Sequence, residues 1–227
     1  MSAESGVPTF RDALDGLWAR FRPEELATPE AFAADPALVW RWYGWRRELV
    51  GAVAPNAGHH ALVRLAEALP ALRIVTQNVD GLHQRAGSAD VIELHGNLFA
   101  NLCSRDRESV TLPTASAEDG PPPCPRCGAP VRPGVVWFGE QLPAAAIAEA
   151  ERLAARADLL FSIGTSALVT PAAELPYLAL GAGATLVEIN PEPTSLARHC
   201  DYVLAGPSGR ILPALVDRLG AHLAQED

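Results

Sequence analysis

Short apolar runs that end in polar or glycine tips recur along this chain, and that rhythm most restricts what it can fold into. Leu72-Arg73-Ile74-Val75 leads into Thr76-Gln77-Asn78-Val79-Asp80-Gly81-Leu82-His83, and Ala89-Asp90-Val91-Ile92 leads into Glu93-Leu94-His95-Gly96-Asn97. Later, Leu159 to Ile163 ends at Gly164-Thr165-Ser166, Thr185 to Ile189 ends at Asn190, and Tyr202 to Leu204 ends at Gly206. Runs this short read as strands, and the helical stretches between them as crossovers. The implied class is α/β, with a doubly wound, mostly parallel sheet covered on both faces. In such a sheet the residues just past the carboxyl ends of the strands face the ligand crevice. The tips carry amides, a carboxylate and an imidazole, which suit a polar, hydrogen-bonding ligand.

Helix signals fill the rest. Thr28 caps a helix opened by Pro29 and Glu30, and Asp35-Pro36 opens the next, which carries Val39, Trp42, Tyr43 and Arg46. Asn56 to Leu69 has an apolar side of Ala61, Leu62, Leu65 and Leu69. Val135 to Phe138 reads as extended, Pro143 to Arg156 as an Ala-rich helix, Leu178 to Ala184 as a further helical piece, and Gly209 to Leu223 as the last helix. The polar stretch Ser104 to Gly120 and the prolines before Cys124 break the rhythm and mark an excursion. A length of 227 residues suits one domain with a smaller inserted module, and 48% hydrophobic residues suffice for its core. A net charge of -9 argues against a nucleic-acid surface while still attracting basic protein substrates. No apolar run is long enough to span a bilayer, and the residues after Met1 lack the pattern of a secretory signal. The cytoplasm is the default location.

Gln77, Asn78, Asp80 and His95 form the first constellation. Amides and a carboxylate bind the hydroxyls and carboxamide of a nucleotide cofactor, and an imidazole accepts a proton near neutrality. The same residues also suit ordinary turns, with the histidine satisfying a carbonyl. Gly164-Thr165-Ser166, Asn190 and the turn Gly206-Pro207-Ser208-Gly209 occupy equivalent later tips and offer a seat for phosphate or ribose. No complete Gly-x-Gly-x-x-Gly follows a first strand, and the chain does not begin with a strand.

The chain has four cysteines. Cys124-Pro125-Arg126-Cys127-Gly128 has the form of a zinc knuckle, with Cys103 a third thiolate. Cys103-Ser104-Arg105-Asp106 puts Asp106 where a second Cys-x-x-Cys would end. Either Asp106 completes a zinc site through oxygen or the thiols are inert. Cys200 reads as packing. In Tyr43-Gly44-Trp45-Arg46 a phenol and a guanidinium three residues apart share a helix face. That pair makes a carboxylate receptor, or a ring stacked on a surface arginine.

Taken together these segments resemble the sirtuins, the NAD-dependent protein deacylases. The resemblance is carried by Ser2-Ala3-Glu4-Ser5-Gly6-Val7-Pro8-Thr9-Phe10-Arg11, by the two strand exits at Thr76 and Glu93, by Val135-Val136-Trp137-Phe138-Gly139-Glu140, by Gly164-Thr165-Ser166 and by Glu188-Ile189-Asn190-Pro191. It implies a Rossmann-like sheet formed by 1–17, 59–98 and 135–227, and a smaller helical, zinc-binding module formed by 18–58 and 99–134. His95 is then the general base on a ribose hydroxyl, and Gln77, Asn78 and Asp80 hold the nicotinamide-ribose part of NAD. Ala3, Phe10 and Arg11 line the loop over the cofactor, while Gly164, Thr165, Ser166, Asn190 and Ser208 run along its phosphates and adenosine. Val135, Trp137, Phe138 and Gly139 flank the acylated lysine peptide. Tyr43 and Arg46 further resemble the class III branch, where such a pair receives the distal carboxylate of succinyl-, malonyl- or glutaryl-lysine. Acyl-lysine proteins are the expected partners, acting on a monomer, with neither nucleic acid nor membrane involved.

The family motif is usually preceded by a hydrophobic strand and a Gly-Ala-Gly turn. Here the chain starts at Met1, which matches the Met of that motif. A missing central strand is expected to leave backbone groups unpaired and to weaken NAD binding. Two other readings stand beside the deacylase: a truncated NAD- or peptide-binding remnant, and an NAD-linked dehydrogenase.

Overall fold

The structure is a computed structural model that describes residues 1–8, 21–69, 71–112 and 120–223. Among these residues, helices and strands alternate through the second half as the sequence rhythm requires. The parallel strands are β1 (Ile74–Thr76), β2 (Val91–Glu93), β5 (Leu159–Ile163), β6 (Thr185–Asn190) and β7 (Tyr202–Ala205). The antiparallel pair is β3 (Gly96–Cys103) and β4 (Val131–Val135). The helices are α1 (Pro23–Leu26), α2 (Pro29–Ala34), α3 (Pro36–Ala52), α4 (Ala57–Ala68), α5 (Leu82–Ala86), α6 (Ala144–Ala154), α7 (Leu175–Gly181) and α8 (Ser208–Leu223).

The parallel strands form two ladders. β1 pairs with β2, and β5-β6-β7 form the other, all parallel. Both ladders share the same two cover layers. Ile74 of β1 packs with Phe161 and Ile163 of β5 against Ala61, Leu62 and Leu65 of α4 and Leu212 and Val216 of α8. Val75 and Leu160 point the other way, toward α6 and α7. Successive side chains of a strand alternate between faces, so one doubly wound layer with helices on both sides follows from these memberships. The five parallel strands run their carboxyl ends toward one edge, where Gln77 past β1 meets Thr165 past β5.

Local chemistry sets the helix starts. The Thr28 hydroxyl accepts from the Ala31 N–H and the Asp35 carboxylate from the Leu38 N–H, each satisfying one of the amides a helix start leaves open. The Asn56 side chain does the same for α4. α3 buries Val39, Trp42, Tyr43 and Val50 against Leu98, Val135 and Trp137. Truncating a fully enclosed ring such as Trp42 costs on the order of 3–5 kcal/mol.

Three expectations shift. The extended segment lies at Val131–Val135, earlier than Val135 to Phe138. The strand stops there because the Val136 N–H turns to the His95 carbonyl and Trp137 to Glu140 closes a turn through Gly139 at φ 85°. α7 starts at Leu175, with Pro176 in its first turn, rather than at Leu178. Leu69 falls beyond the end of α4 and is exposed rather than part of its apolar side. At the start of β3, Gly96 has φ 74°, and a Cβ there would lie 2.1 Å from the Gly134 carbonyl oxygen. Only glycine permits that approach of β3 to β4.

Candidate active site

The tip of β1 holds most of the polar groups. Thr76 accepts the Asn78 N–H through its hydroxyl, which turns the chain out of the strand. Gln77 donates from Nε2 to the Thr165 hydroxyl past β5 at 3.4 Å, and Asn190 at the end of β6 donates to the Thr165 carbonyl at 2.7 Å. The tips of β1, β5 and β6 are therefore stitched side to side. Asn78 donates to the Ser2 hydroxyl at 2.7 Å, which brings the N-terminal turn onto the same edge. Ala3 lies exposed on that turn. Gly164 has φ 59°, and a Cβ there would meet the Met1 nitrogen at 2.5 Å, so the turn passes directly over this glycine. Phe10 and Arg11 lie outside the described residues.

His95 sits where this edge meets β4. Its Nδ1 is 3.0 Å from the Gln77 carbonyl oxygen. A carbonyl only accepts, so Nδ1 carries the proton and Nε2 keeps a lone pair. The His95 carbonyl in turn accepts the Val136 N–H at 2.9 Å, which ties the imidazole to the Trp137 loop. Asp80 is buried and accepts the Leu82 N–H, fixing the turn at Gly81. Two buried histidines, His59 and His83, lie in its field with ring centroids 4.9 Å apart. Burial lowers both, His59 to about 4, with Asp80 opposing that shift. Neither histidine therefore brings a positive charge beside Asp80 at neutral pH.

On the other side of His95 the polar groups are buried. Trp137 Nε1 donates to the Tyr43 hydroxyl at 3.0 Å, and the Arg46 guanidinium lies 5.2 Å from the centre of the Trp42 ring. Tyr43 is 1% exposed and Arg46 8%, so the picture of a ring stacked on a surface arginine does not hold. Burial holds the Tyr43 phenol well above its ordinary pKa, which keeps its proton available for donation. Burial pulls Arg46 down from its usual value, with Tyr43 nearby acting the other way. Phe138 is half exposed beside this wall, and Gly139 forms the turn after it.

Two residues that the sequence reading gave no role hold that loop. Arg132 of β4 meets both Glu140 oxygens at 2.6 and 2.9 Å and donates to the Val135 carbonyl. Its guanidinium stacks 3.4 Å from the centre of the Trp137 ring. Glu140 also accepts the Trp137 N–H and an Arg107 donor. Burial opposes ionisation of Glu140, but Arg132, Arg107 and the Trp137 N–H outweigh it and bring the carboxyl to about 2. A glutamate three residues after the tryptophan was the available signal. Glu4 is the third omission. Its carboxylate accepts the Ser208 N–H and hydroxyl and the Gly209 N–H at the start of α8. The hydroxyl proton and N–H of Ser208 are thus committed to Glu4, and a carboxylate sits where the sequence reading expected a phosphate.

In the excursion, Cys103, Cys124 and Cys127 come together with their sulfurs all within 4.8 Å of one another. Two are buried, and both turns are shaped for sulfur. Backbone N–H groups of Asp106 and Arg105 point at Cys103, and those of Arg126 and Cys127 at Cys124. Such donors stabilise thiolates, and the donor set fits zinc. Gly128 closes the knuckle at φ 72°. Cys200 donates to the Leu196 carbonyl and stays outside this group.

The geometry has counterparts in known proteins. A Sir2 homologue in complex with NAD superposes with a TM-score of 0.90 at 48% identity, covering 98% of this chain and 86% of that one. A Sir2 protein bound to an acetylated peptide superposes at 0.83 with 30% identity, over 96% and 89% of the two chains. The NAD-dependent protein deacylase of Methylococcus capsulatus is 53% identical over 226 residues, covering 96% of this chain and 89% of that protein. NAD-dependent protein deacylase 1 of Pseudomonas aeruginosa is 53% identical over 225 residues, with 96% and 90% covered. The model of the Sir2 family matches residues 1–171, from the N-terminal turn past the stitched tips of β1 and β5, and the chain belongs to that family.

Proposed function

We propose that this chain is an NAD-dependent protein-lysine deacylase whose preferred substrates carry short dicarboxylic acyl groups: succinyl, malonyl or glutaryl, with acetyl as a lesser substrate. The observation that carries the reading is His95, an imidazole with Nδ1 committed to the Gln77 carbonyl and Nε2 left as a base. It lies between an edge of amides and hydroxyls and a wall with a buried phenol and guanidinium. NAD, when bound, supplies the ribose that accepts the acyl group and nicotinamide as the leaving group. The acyl–lysine amide bond breaks, one water is consumed, and free lysine, nicotinamide and O-acyl-ADP-ribose are the products.

The residues divide the work. Gln77, Asn78 and Asp80 hold the nicotinamide-ribose part, and His95 takes a proton from a ribose hydroxyl. Gly164, Thr165, Ser166 and Asn190 follow the phosphates and adenosine. Ala3, Phe10 and Arg11 form the loop over the cofactor. Ser208 serves this edge by anchoring Glu4, and with it the N-terminal turn. Val135, Trp137, Phe138 and Gly139 hold the peptide, and Tyr43 and Arg46 take the distal carboxylate. Cys103, Cys124 and Cys127 hold one structural zinc.

We assign 1–17, 59–98 and 135–227 to the cofactor-binding part and 18–58 and 99–134 to the smaller module. Leu98, Val135 and Trp137 pack into the core of α3, so the two parts share that seam. No helix among the described residues is long and apolar enough to cross a membrane. We take the protein to act as a cytoplasmic monomer on acyl-lysine proteins, with no nucleic acid involved. Matches to deacylases over 87–98% of the chain count against the dehydrogenase reading.

Free nicotinamide, measured with NAD and succinyl-lysine peptide together and with each alone, tests the activity. Release only with both supports it. Reduction of NAD without nicotinamide release would return the dehydrogenase.

A further inference from the structure

Asp106 occupies the place where a fourth thiolate would complete the cysteine site, and its carboxylate is already engaged. Oδ1 accepts the Glu108 N–H at 3.0 Å and an Arg126 Nη2 hydrogen at 3.2 Å, while Oδ2 lies 3.4 Å from the same nitrogen. Arg126 is itself anchored, donating from Nη1 to the Ser109 carbonyl at 3.0 Å. Asp106 belongs to the turn after Cys103, and Arg126 lies inside the turn from Cys124 to Cys127. The ion pair therefore clasps the two sulfur-bearing turns together. The three sulfurs gather within 4.8 Å of one another, and Asp106 is not part of that group.

Zinc in a protein takes four ligands, and closed structural sites supply all of them. Three thiolates on the ion leave a net charge of about -1, and a carboxylate ligand would raise that to about -2. To reach the ion, Asp106 would also have to release Arg126, whose charge-assisted bonds favour the arrangement already present.

We infer that zinc is held here by three thiolates alone, from Cys103, Cys124 and Cys127. Asp106 remains with Arg126 as a clasp, and the fourth position is open to a small exogenous ligand such as water, a halide or a thiol. The inference rests on reading the cysteines as zinc ligands. Its consequence is a metal that solution thiols can reach, whereas a four-thiolate site is closed.

Cobalt(II) in place of zinc reports the ligand set through its visible bands. The whole chain is compared as wild type, Asp106→Ala and Asp106→Cys, after zinc stoichiometry has been measured in each. Affinity alone does not discriminate, because losing an outer partner also weakens a metal site by about 10–100-fold. The bands are expected at the same positions in wild type and Asp106→Ala, and thiocyanate should perturb both alike. Asp106→Cys should move the bands and abolish the thiocyanate response, since a fourth thiolate closes the site. Bands that shift in Asp106→Ala, or that answer thiocyanate only in that variant, make Asp106 a ligand and overturn the inference. Zinc absent from the wild type, after growth with ample zinc, overturns the metal reading itself and the inference with it. Zinc present, with bands that shift in Asp106→Ala, overturns the three-thiolate inference and leaves the zinc reading standing.

Discussion

His95 divides two polar regions built on opposite plans. Along the strand tips, Gln77, Asn78, Thr165 and Asn190 are only partly buried and hold one another by neutral hydrogen bonds, one of them as long as 3.4 Å. Around the Trp137 loop, Tyr43, Arg46 and Arg132 are buried, and Arg132 faces Glu140 across an ion pair with side chains 4% and 10% exposed. Neutral bonds contribute roughly 1 kcal/mol each and exchange readily with a ligand or with water. Buried charged contacts are stiff, and breaking them costs several times more. The first region can therefore reorganise around a large ligand, while the second is a fixed wall. Perturbing each region in turn tests that contrast.

The largest effect is expected in the stiff region. Glu140→Gln leaves Arg132 buried without its counter-charge and should destabilise the protein by roughly 3–5 kcal/mol. Urea unfolding at pH 7 measures it. The same carboxyl makes an acid signature. Its folded pKa of about 2 lies below the ordinary 4.5, so its stabilisation is complete above about pH 4.5 and fades as the pH falls toward 2. That part of the pH profile should vanish in Glu140→Gln. His59 adds an earlier loss, between about 6.5 and 4, because a buried neutral ring must take up a proton. A variant as stable as the wild type would remove the distinction between the two regions.

Next comes the junction. His95→Ala should lower kcat by at least about two orders of magnitude, the contribution typical of a positioned acid–base group, on every acyl substrate. Calorimetric titration should find NAD binding little changed, because Gln77 contributes a backbone carbonyl to the ring and keeps its side chain for Thr165. Similar deacylation rates in mutant and wild type would place the base elsewhere.

The substrate wall should discriminate. Arg46→Met is expected to reduce desuccinylation by about 10–100-fold, the scale of one lost hydrogen bond to a charged group, and to leave deacetylation within about threefold. Kinetics on succinyl-, malonyl-, glutaryl- and acetyl-peptides decide it. Equal losses on all four would make Arg46, stacked by Trp42, a support of α3 instead.

How far the sequence foretold these regions follows from the range of the forces. The caps at Thr28 and Asp35 were legible because the hydrogen bond closes within three residues. The strand Leu159 to Ile163 was legible because its apolar run is short and packs on both helical layers, through Phe161 and Ile163 on one side and Leu160 on the other. β4 was not, since Val131-Arg132-Pro133-Gly134-Val135 carries an arginine, a proline and a glycine and resembles a loop. Its burial depends on Glu140, beyond the strand. β3 was hidden for the same reason, by Gly96, Asn97 and Asn101. The tip residues of the site could be read from their strands, but not how they meet. Gln77 reaches Thr165 across 88 positions, and no local pattern records that.

Glu4 gives the smallest effect and the sharpest comparison, because it is a charged group placed in the adaptable region. Its carboxylate accepts three donors at the start of α8, from Ser208 and Gly209. Burial opposes its ionisation, yet the Ser208 hydroxyl and the two N–H groups lower its pKa overall. Folded stability from this contact is therefore present above the ordinary glutamate range and is lost as the pH falls below it. Glu4→Gln keeps an acceptor of the same size but removes the charge that faces the helix dipole, a change of about 0.3–1 kcal/mol near the surface. For a chain of this length that lowers Tm by roughly 1–4 °C. The difference between variant and wild type should shrink in high salt and disappear in acid, because both screen or neutralise the same charge. A loss of several kcal/mol, insensitive to salt, would mean that the cofactor edge is as rigid as the Trp137 wall. The contrast on which the adaptable reading of the strand tips depends would then fail.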